Sequence, residues 1–152
     1  MHIETQFSVL LMNKPGVLSQ ILNALAKEKI NIIAITMMDS IEHGMLRLVT
    51  AKPAQTRRTL EHLNVMLNET EVLCINLSNK AGALADVATQ LSEAHINIAY
   101  AYCTAGARGG RTTGILKVAD LKKAMKVLEK NTQKKPEKKE NKLRSAPDHK
   151  MR

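Results

Sequence analysis

Two short loops of nearly the same sequence hold the residues best suited to binding a small ligand. Asn-Lys-Pro-Gly occupies positions 13–16, and Asn-Lys-Ala-Gly occupies positions 79–82. Each loop is predicted between a strand end and a helix start, where backbone N–H groups lack partners and the helix dipole favours an anion. The glycine lets a ligand approach the backbone, and the asparagine amide can contact both an ammonium and a carboxylate group. The alternative is that Asn13 and Asn79 only form Asx turns or helix caps.

Residues for catalysis or metal binding do not form a recognisable group. The five histidines are scattered, and none has a partner at the spacing of a helical metal site. The stretch Gly106–Arg111 resembles a phosphate-binding loop only loosely, because it joins two predicted strands, so a hairpin turn explains it better. Cys74 and Cys103 are expected to be small apolar residues of strands with reduced thiols. We therefore predict no catalytic residue, no metal site and no cofactor.

The chain contains an internal repeat that includes both loops. Shifting the sequence by 66 positions aligns residues 13–32 with residues 79–98, and eight aligned positions are identical. The shared residues include the loop glycine, two asparagines and the apolar face of a helix. This period is longer than most solenoid repeats, and it predicts two copies of a small domain.

The elements that position the loops follow the order βαββαβ in each copy. This order gives the ferredoxin-like arrangement of the α+β class, an antiparallel sheet with two helices on one face. Pro15 is expected in the first turn of its helix, His43-Gly44 in a hairpin turn, and Asp120 at a helix N-cap. No strand is evident after Glu129, so the closing strand of the second copy looks missing or degraded. Strands are predicted at 3–11, 31–38, 45–51, 65–67, 71–78, 96–104 and 112–118, and helices at 15–26, 54–63, 82–94 and 120–129.

The other face of each predicted sheet would be bare. A unit of about 65 residues buries only about 60% of its unfolded surface, so each copy is marginal alone. We therefore expect the two copies to pair, and the chain to form a homodimer as well.

Composition places the chain among globular proteins. It is 44% hydrophobic and 24% charged, no apolar run approaches the ~20 residues of a membrane span, and no signal peptide is evident. Residues 117–152 hold 13 Lys+Arg against 5 Asp+Glu, whereas residues 1–116 hold 10 against 9. We predict domains at 1–69 and 70–130, a basic disordered tail at 131–152, and a cytoplasmic protein.

Residues 13–37 resemble the opening of an ACT domain, the ligand-binding regulatory module of amino-acid metabolism. The family signature is a strand, an Asp/Asn-x-Pro-Gly-x-Leu loop, an amphipathic helix and an Asn-Ile pair. The first copy shows it at Asn13–Leu18 and Asn31-Ile32, and the second copy departs from it at Ala81. The resemblance covers about residues 3–130 and extends to small stand-alone proteins with two ACT units.

The resemblance implies a non-catalytic regulatory protein that binds a small amino acid at interfaces between ACT units. It implies that the loop asparagines contact the ligand, that the amides of 14–18 and 80–84 receive its carboxylate, and that the strand asparagines reach it across an interface. The implied partners are the amino acid, a second copy of the chain and a regulated enzyme, with no membrane and no nucleic acid. The implied binding residues are Asn13, Lys14, Pro15, Gly16, Val17, Leu18 and Asn31, with Asn79, Lys80, Ala81, Gly82, Ala83, Leu84 and Asn97 in the second copy.

Three other interpretations stay open from the sequence. The first copy also resembles the regulatory subunit of acetolactate synthase, although a second ACT unit fits that subunit poorly. An RNA-recognition module shares the βαββαβ order and would suit the basic tail, but it needs exposed aromatic residues for base stacking. Only Tyr100 and Tyr102 could supply them, and packing at a sheet or domain interface is the more ordinary role for both. A pure oligomerisation module is the third.

Overall fold

The structure is a computed structural model that describes residues 1–39, 43–104 and 112–134. These residues form six strands and four helices. Their order in the chain is β1 (His2–Met12), α1 (Val17–Lys27), β2 (Ile32–Asp39), β3 (His43–Thr50), α2 (Pro53–His62), β4 (Met66–Leu77), α3 (Ala83–Glu93), β5 (Ile98–Thr104), β6 (Thr112–Val118) and α4 (Leu121–Lys134). The predicted α+β class is confirmed.

The ends of α1 and α3 explain part of the repeat. After α1, Lys29 adopts a left-handed conformation with φ of 53°, and His95 does the same after α3 with φ of 55°. The Lys29 N–H donates to the carbonyl of Ala26, and the Ile30 N–H donates to the carbonyl of Leu25. This is the Schellman arrangement, which satisfies the last carbonyls of a helix and is accompanied by an apolar contact. Leu25 and Ile30 are both buried in one core, so their identity in the two copies has a structural cause.

The two copies share one antiparallel sheet with the strand order β2-β3-β1-β4-β6-β5. At its centre β1 pairs with β4 from His2 opposite Cys74 to Leu10 opposite Met66. The prediction of separate strands at 65–67 and 71–78 is wrong, because β4 runs without a break across the predicted boundary between 69 and 70. Asn68 and Glu69, which lie between the two predicted strands, pair with β1 residues in the ladder.

The structure also agrees with the prediction that the second copy lacks its closing strand. Within the described residues no strand follows β6, since α4 continues to Lys134. The first four residues of the predicted tail are thus helical in backbone, and residues 135–152 lie outside the described residues. The place beside Glu71–Cys74 is taken by residues 2–5 of β1. One copy therefore supplies strand pairing that the other lacks.

Two apolar cores lie between the sheet and its helices. Side chains of a strand alternate between faces, so Phe7, Val9 and Leu11 of β1 point to one side, where they pack with Ile21 and Leu25 of α1. In the second copy Leu73, Ile75 and Leu116 pack in the same way with residues of α3 and α4. Full burial of such a side chain contributes about 1.5–3 kcal/mol. The expectation of helices on one sheet face is confirmed.

The opposite face of the sheet, which we call the inner face, is partly covered within the chain. Ala34, Val49, Val72, Cys74 and Ile115 form a third buried cluster there, drawn from both copies. The sheet curls so that its edge strands β2 and β5 contact each other. The expected pairing of the two copies is confirmed, and it covers part of the surface that the sequence predicted to be bare, although Met38 and Met66 remain 48% and 73% exposed.

Three local predictions have different outcomes. His43 and Gly44 belong to β3, opposite Met12 and Leu11, so the predicted turn is wrong at these residues. Asp120 does cap α4, because its Oδ1 accepts a hydrogen bond of 2.9 Å from the N–H of Lys123. The predicted turn at 106–110 lies outside the described residues.

Candidate functional site

The two repeated loops have the same backbone conformation. We call residues 13–16 turn 1 and residues 79–82 turn 2. Gly16 has φ 89° and ψ −19°, and Gly82 has φ 86° and ψ −9°. The N–H of Val17 donates to the carbonyl of Lys14, as the N–H of Ala83 does to that of Lys80. These values match the third residue of a type II turn, which requires a positive φ and therefore glycine.

The turns place glycine directly before each helix. Gly16 caps α1 and Gly82 caps α3, so Pro15 lies in turn 1 and not in the first turn of the helix, which corrects that prediction. A Cβ built on either glycine would meet no atom within 4 Å. The space over both turns is therefore open to a ligand.

Some of the predicted amide donors are available and others are not. The Lys14 N–H already donates to the Met12 carbonyl, and Pro15 has no N–H. Among the described residues no acceptor is found for the N–H groups of Gly16 and Leu18. In the second copy, Ala81 adds an amide where the first copy has proline. Turn 1 thus offers fewer backbone donors than the sequence suggested.

The side chains of Asn13 and Asn79 are exposed. Neither makes an Asx turn or a cap in the described part of the chain, where both helices lack a side-chain cap. The alternative that these asparagines only form Asx turns or helix caps is therefore not observed. Lys14 and Lys80, beside them, are exposed as well.

The first turns of the two helices differ in charge. The first turn of α1 contains no acidic residue, whereas that of α3 contains Asp86. A carboxylate here opposes the positive end of the helix dipole for an incoming anion. Turn 1 is therefore the better carboxylate site on electrostatic grounds.

Asn31 and Asn97 lie at the opposite end of the helix from the turns. Both side chains are exposed, and their carbonyls accept hydrogen bonds from the N–H groups of Ala51 and Ala119. Eleven residues of α1 separate turn 1 from Asn31, which is about 16 Å along a helix. The structure does not bring the loop and strand asparagines of one copy together. The remaining predicted binding residues lie in the turns or at the start of the helices that follow them. They are Pro15, Val17, Leu18, Ala83 and Leu84.

The tyrosines pack between the copies, as expected. The side chain of Gln6 is fully buried. Its Nε2 donates to the hydroxyl of Tyr100 at 2.7 Å, and its Oε1 accepts from the hydroxyl of Tyr102 at 3.0 Å. Burial is the largest cause that raises the pKa of Tyr102. These contacts remove the aromatic surface that the RNA-recognition alternative needs.

Sequence reasoning missed a cavity of about 460 Å³ on the inner face. Arg47 of β3 and Lys117 of β6 line it from different copies, and the Arg47 guanidinium carbon lies 3.8 Å from the Tyr100 ring centroid. No local sequence motif predicts this cavity, because it forms only when the sheet curls. The sequence signal for the cavity is the presence of polar residues, Ser8 and Arg47, at strand positions that face the inside of the curled sheet.

Other kinds of site are absent from the described residues. No group of three or more His, Cys, Asp or Glu side chains could hold a metal ion there. Cys74 is buried, Cys103 is exposed, and both are free. No helix in the described ranges is long and apolar enough to cross a membrane.

Comparisons with known proteins find one family model and several similar structures. A family model described as an ACT domain pair matches residues 1–143, and no curated protein matches significantly. A protein from Bacteroides thetaiotaomicron has a similar structure with 29% identity and a TM-score of 0.79, over 86% of this chain and 89% of that one.

Two regulatory subunits of aspartate kinase share the fold at low identity. The ligand-free subunit from Thermus thermophilus superposes with a TM-score of 0.64 at 11% identity, over 86% of this chain and 97% of that one. The subunit from Thermus flavus gives 0.60 at 13%, over 86% and 95%. These two likenesses concern the fold alone.

Proposed function

This chain belongs to the ACT family as a pair of ACT domains, and we propose that it is a non-catalytic regulatory protein that binds a small amino acid. The binding groups are the free amides and asparagines of turns 1 and 2. Family membership supports the regulatory role, and the structure of the turns supports the location.

The observation that carries the proposal is the shared geometry of the two turns. Each has a glycine with positive φ, open space over that glycine and helix amides without acceptors among the described residues. An α-carboxylate would accept from the Gly16 and Leu18 amides, since anions bind well at helix N-termini. The Asn13 side chain would accept a hydrogen bond from the α-ammonium through its carbonyl oxygen.

A complete site needs a second ACT unit, and we propose that a second copy of the chain supplies it. Asn31 and Asn97 lie a helix length away from the turns of their own copies. They can reach a ligand at a turn only if another unit places them there. The edge strands β2 and β5 are suited to such contact, because an edge carries unpaired backbone groups.

The regulated partner is proposed to be an enzyme of amino-acid biosynthesis. Two structurally similar proteins are regulatory subunits of aspartate kinase, and the acetolactate synthase subunit remains an alternative of the same kind. The proposed cytoplasmic location agrees with such a partner.

A thermal-shift screen against the twenty amino acids tests the proposal. A ligand that binds only the folded state raises its stability by about 2.7 kcal/mol at a hundredfold excess over Kd. We expect one amino acid, or a chemically related set, to raise Tm. No rise with any of the twenty at millimolar concentration would contradict the proposal.

The variants Gly16→Asp and Gly16→Asn form a matched pair. Both place a side chain of similar size where φ is 89°, so both carry comparable backbone strain. The aspartate also repels a carboxylate, so we expect it to abolish the contribution of turn 1 to the ligand-induced shift, while the asparagine only reduces that contribution. Equal ligand shifts in the two variants would place the carboxylate elsewhere.

A further inference from the structure

The inner face has two halves of opposite chemistry, although the repeat makes them equivalent. β1 and β4 correspond at the repeat spacing of 66 positions. Phe7 pairs with Leu48, and Leu73, 66 positions later, pairs with Leu116. Leu48 therefore corresponds to Leu116, and Arg47 beside it corresponds to Ile115.

The remaining strands extend this correspondence. The pairing of β2 shifts register just before Ala34, and that of β5 shifts just before Tyr100, again 66 positions apart. Every member of the buried apolar cluster on the inner face thus has a polar or aromatic counterpart in the other half. Val72, Cys74, Ile115, Val49 and Ala34 correspond to Gln6, Ser8, Arg47, Lys117 and Tyr100.

The polar half lines this cavity, which is open to solvent on one side and has a volume of about 460 Å³, within the range of small-molecule clefts. Its described lining includes two cations, Arg47 and Lys117, and no acidic residue. Ser8, Asn68 and Thr70 add hydrogen-bonding groups, whereas Leu10, Met45 and Met66 form an apolar wall. The lining therefore combines an anion-binding part with an apolar part.

The Arg47 side chain is held by a ring contact, but its hydrogen-bond donors are only partly satisfied. Its guanidinium stacks on Tyr100, whose hydroxyl accepts from Gln6. Among the described residues, its Nη1 contacts the sulfur of Met38 at 3.7 Å, a weak acceptor, and its buried Nε has no hydrogen-bond partner. A buried charged donor without an acceptor is costly. A carboxylate in the cavity would give Nη1 a stronger acceptor than sulfur through a charge-assisted hydrogen bond.

We propose that this cavity is a second ligand site, for a small carboxylate with an apolar tail and no ammonium group. Two cations and no described carboxylate make the lining unfavourable for an α-ammonium. The cavity thus differs in selectivity from turns 1 and 2. A 2-oxo acid and a short-chain fatty acid share the chemistry it recognises.

Isothermal titration calorimetry of the full chain tests this site. The probes are 4-methyl-2-oxopentanoate, hexanoate and leucine, which separate a 2-oxo acid, a fatty acid and an amino acid. We expect saturable binding of at least one of the first two. No saturable binding of either at millimolar concentration would overturn the proposal.

The decisive variants are Arg47→Ile and Lys117→Val, which introduce the residues found at the equivalent positions of the other half. We expect Arg47→Ile to weaken carboxylate binding by about tenfold or more, as loss of a charge-assisted hydrogen bond does. Arg58→Ile is the matched control, because Arg58 is exposed on α2, and it should leave binding unchanged.

Three further outcomes separate this site from the turns. Unchanged affinity in both Arg47→Ile and Lys117→Val, with the chain folded by circular dichroism, would overturn the proposal. Carboxylate binding that is lost in Gly16→Asp would assign the ligand to turn 1 instead. Leucine binding that Arg47→Ile abolishes and Gly16→Asp spares would refute the exclusion of the ammonium group.

Discussion

Thr5 and Glu71 are direct neighbours across β1 and β4, and they are also separated by the repeat spacing of 66 positions. Equivalent residues of the two copies therefore face each other at this point. A pseudo-twofold axis passes between them, and it relates the β1–β4 pairing on one side of this point to the pairing on the other side. The first copy completes the strand pairing of the second, which joins the two domains into one sheet.

This shared sheet predicts a single cooperative unfolding transition. Leu25 and Leu91 are equivalent and almost fully buried, so Leu25→Ala and Leu91→Ala should each destabilise the chain by about 2–5 kcal/mol. Urea unfolding can be followed by circular dichroism, which reports both copies, and by fluorescence of Tyr100 and Tyr102, which reports the second copy and its contacts with Gln6 and Arg47 of the first. We expect the two curves to coincide in both variants. A tyrosine curve that responds only to Leu91→Ala would indicate independent domains.

The buried Gln6 predicts a coupling between the copies. Tyr102→Phe removes the donor to Gln6 Oε1, and an unsatisfied buried acceptor costs about 1–3 kcal/mol. Replacing both residues, in Gln6→Leu with Tyr102→Phe, should cost less than the sum of the single changes. A double-mutant cycle from urea unfolding measures this difference, and strict additivity would argue against the hydrogen bond.

Tyr102 also predicts a loss of stability at alkaline pH. Burial raises the pKa of its hydroxyl above the ordinary value of 10.0, so the folded state holds the proton more tightly than the unfolded state. The stabilisation is complete below the unfolded pKa and is lost as the pH rises through the folded pKa. We expect the free energy of unfolding to fall above about pH 10, and this fall to be smaller in Tyr102→Phe. An identical decline in both chains would contradict the assignment.

The charge difference between the turns predicts unequal use of the two loop asparagines. Because α1 has no acidic residue in its first turn and α3 has Asp86, amino-acid binding should weaken more in Asn13→Ala than in Asn79→Ala. Calorimetric titration gives both the affinity and the number of sites. A stronger effect of Asn79→Ala would reverse the ranking of the two turns.

The repeat, the class and the type of domain could be predicted because they depend on local patterns. The glycine of a turn, the apolar stripe of α1 and the cap at Asp120 each depend on neighbours within a few residues. The continuity of β4 could not be predicted, because the pairing of Asn68 and Glu69 depends on β1, far away in the sequence. The same holds for the curl of the sheet.

The candidate site divides in the same way. Turns 1 and 2 could be located from the sequence because the repeat gives both loops the same pattern of asparagine, lysine and glycine. The distance between the turns and Asn31 or Asn97 depends on how the helix lies on the sheet. The cavity at Arg47 depends on contact between β3 and β5, which no local pattern encodes.

The pairing of residues 2–5 with β4 also constrains how the chain folds during synthesis. This segment leaves the ribosome before Glu71–Cys74, and those residues follow at about 5–20 residues per second. The amino-terminal half of β1 must therefore stay without its partner for several seconds. Since that stretch contains Ile3 among polar neighbours, its mixed character limits premature association while the second copy is still being made.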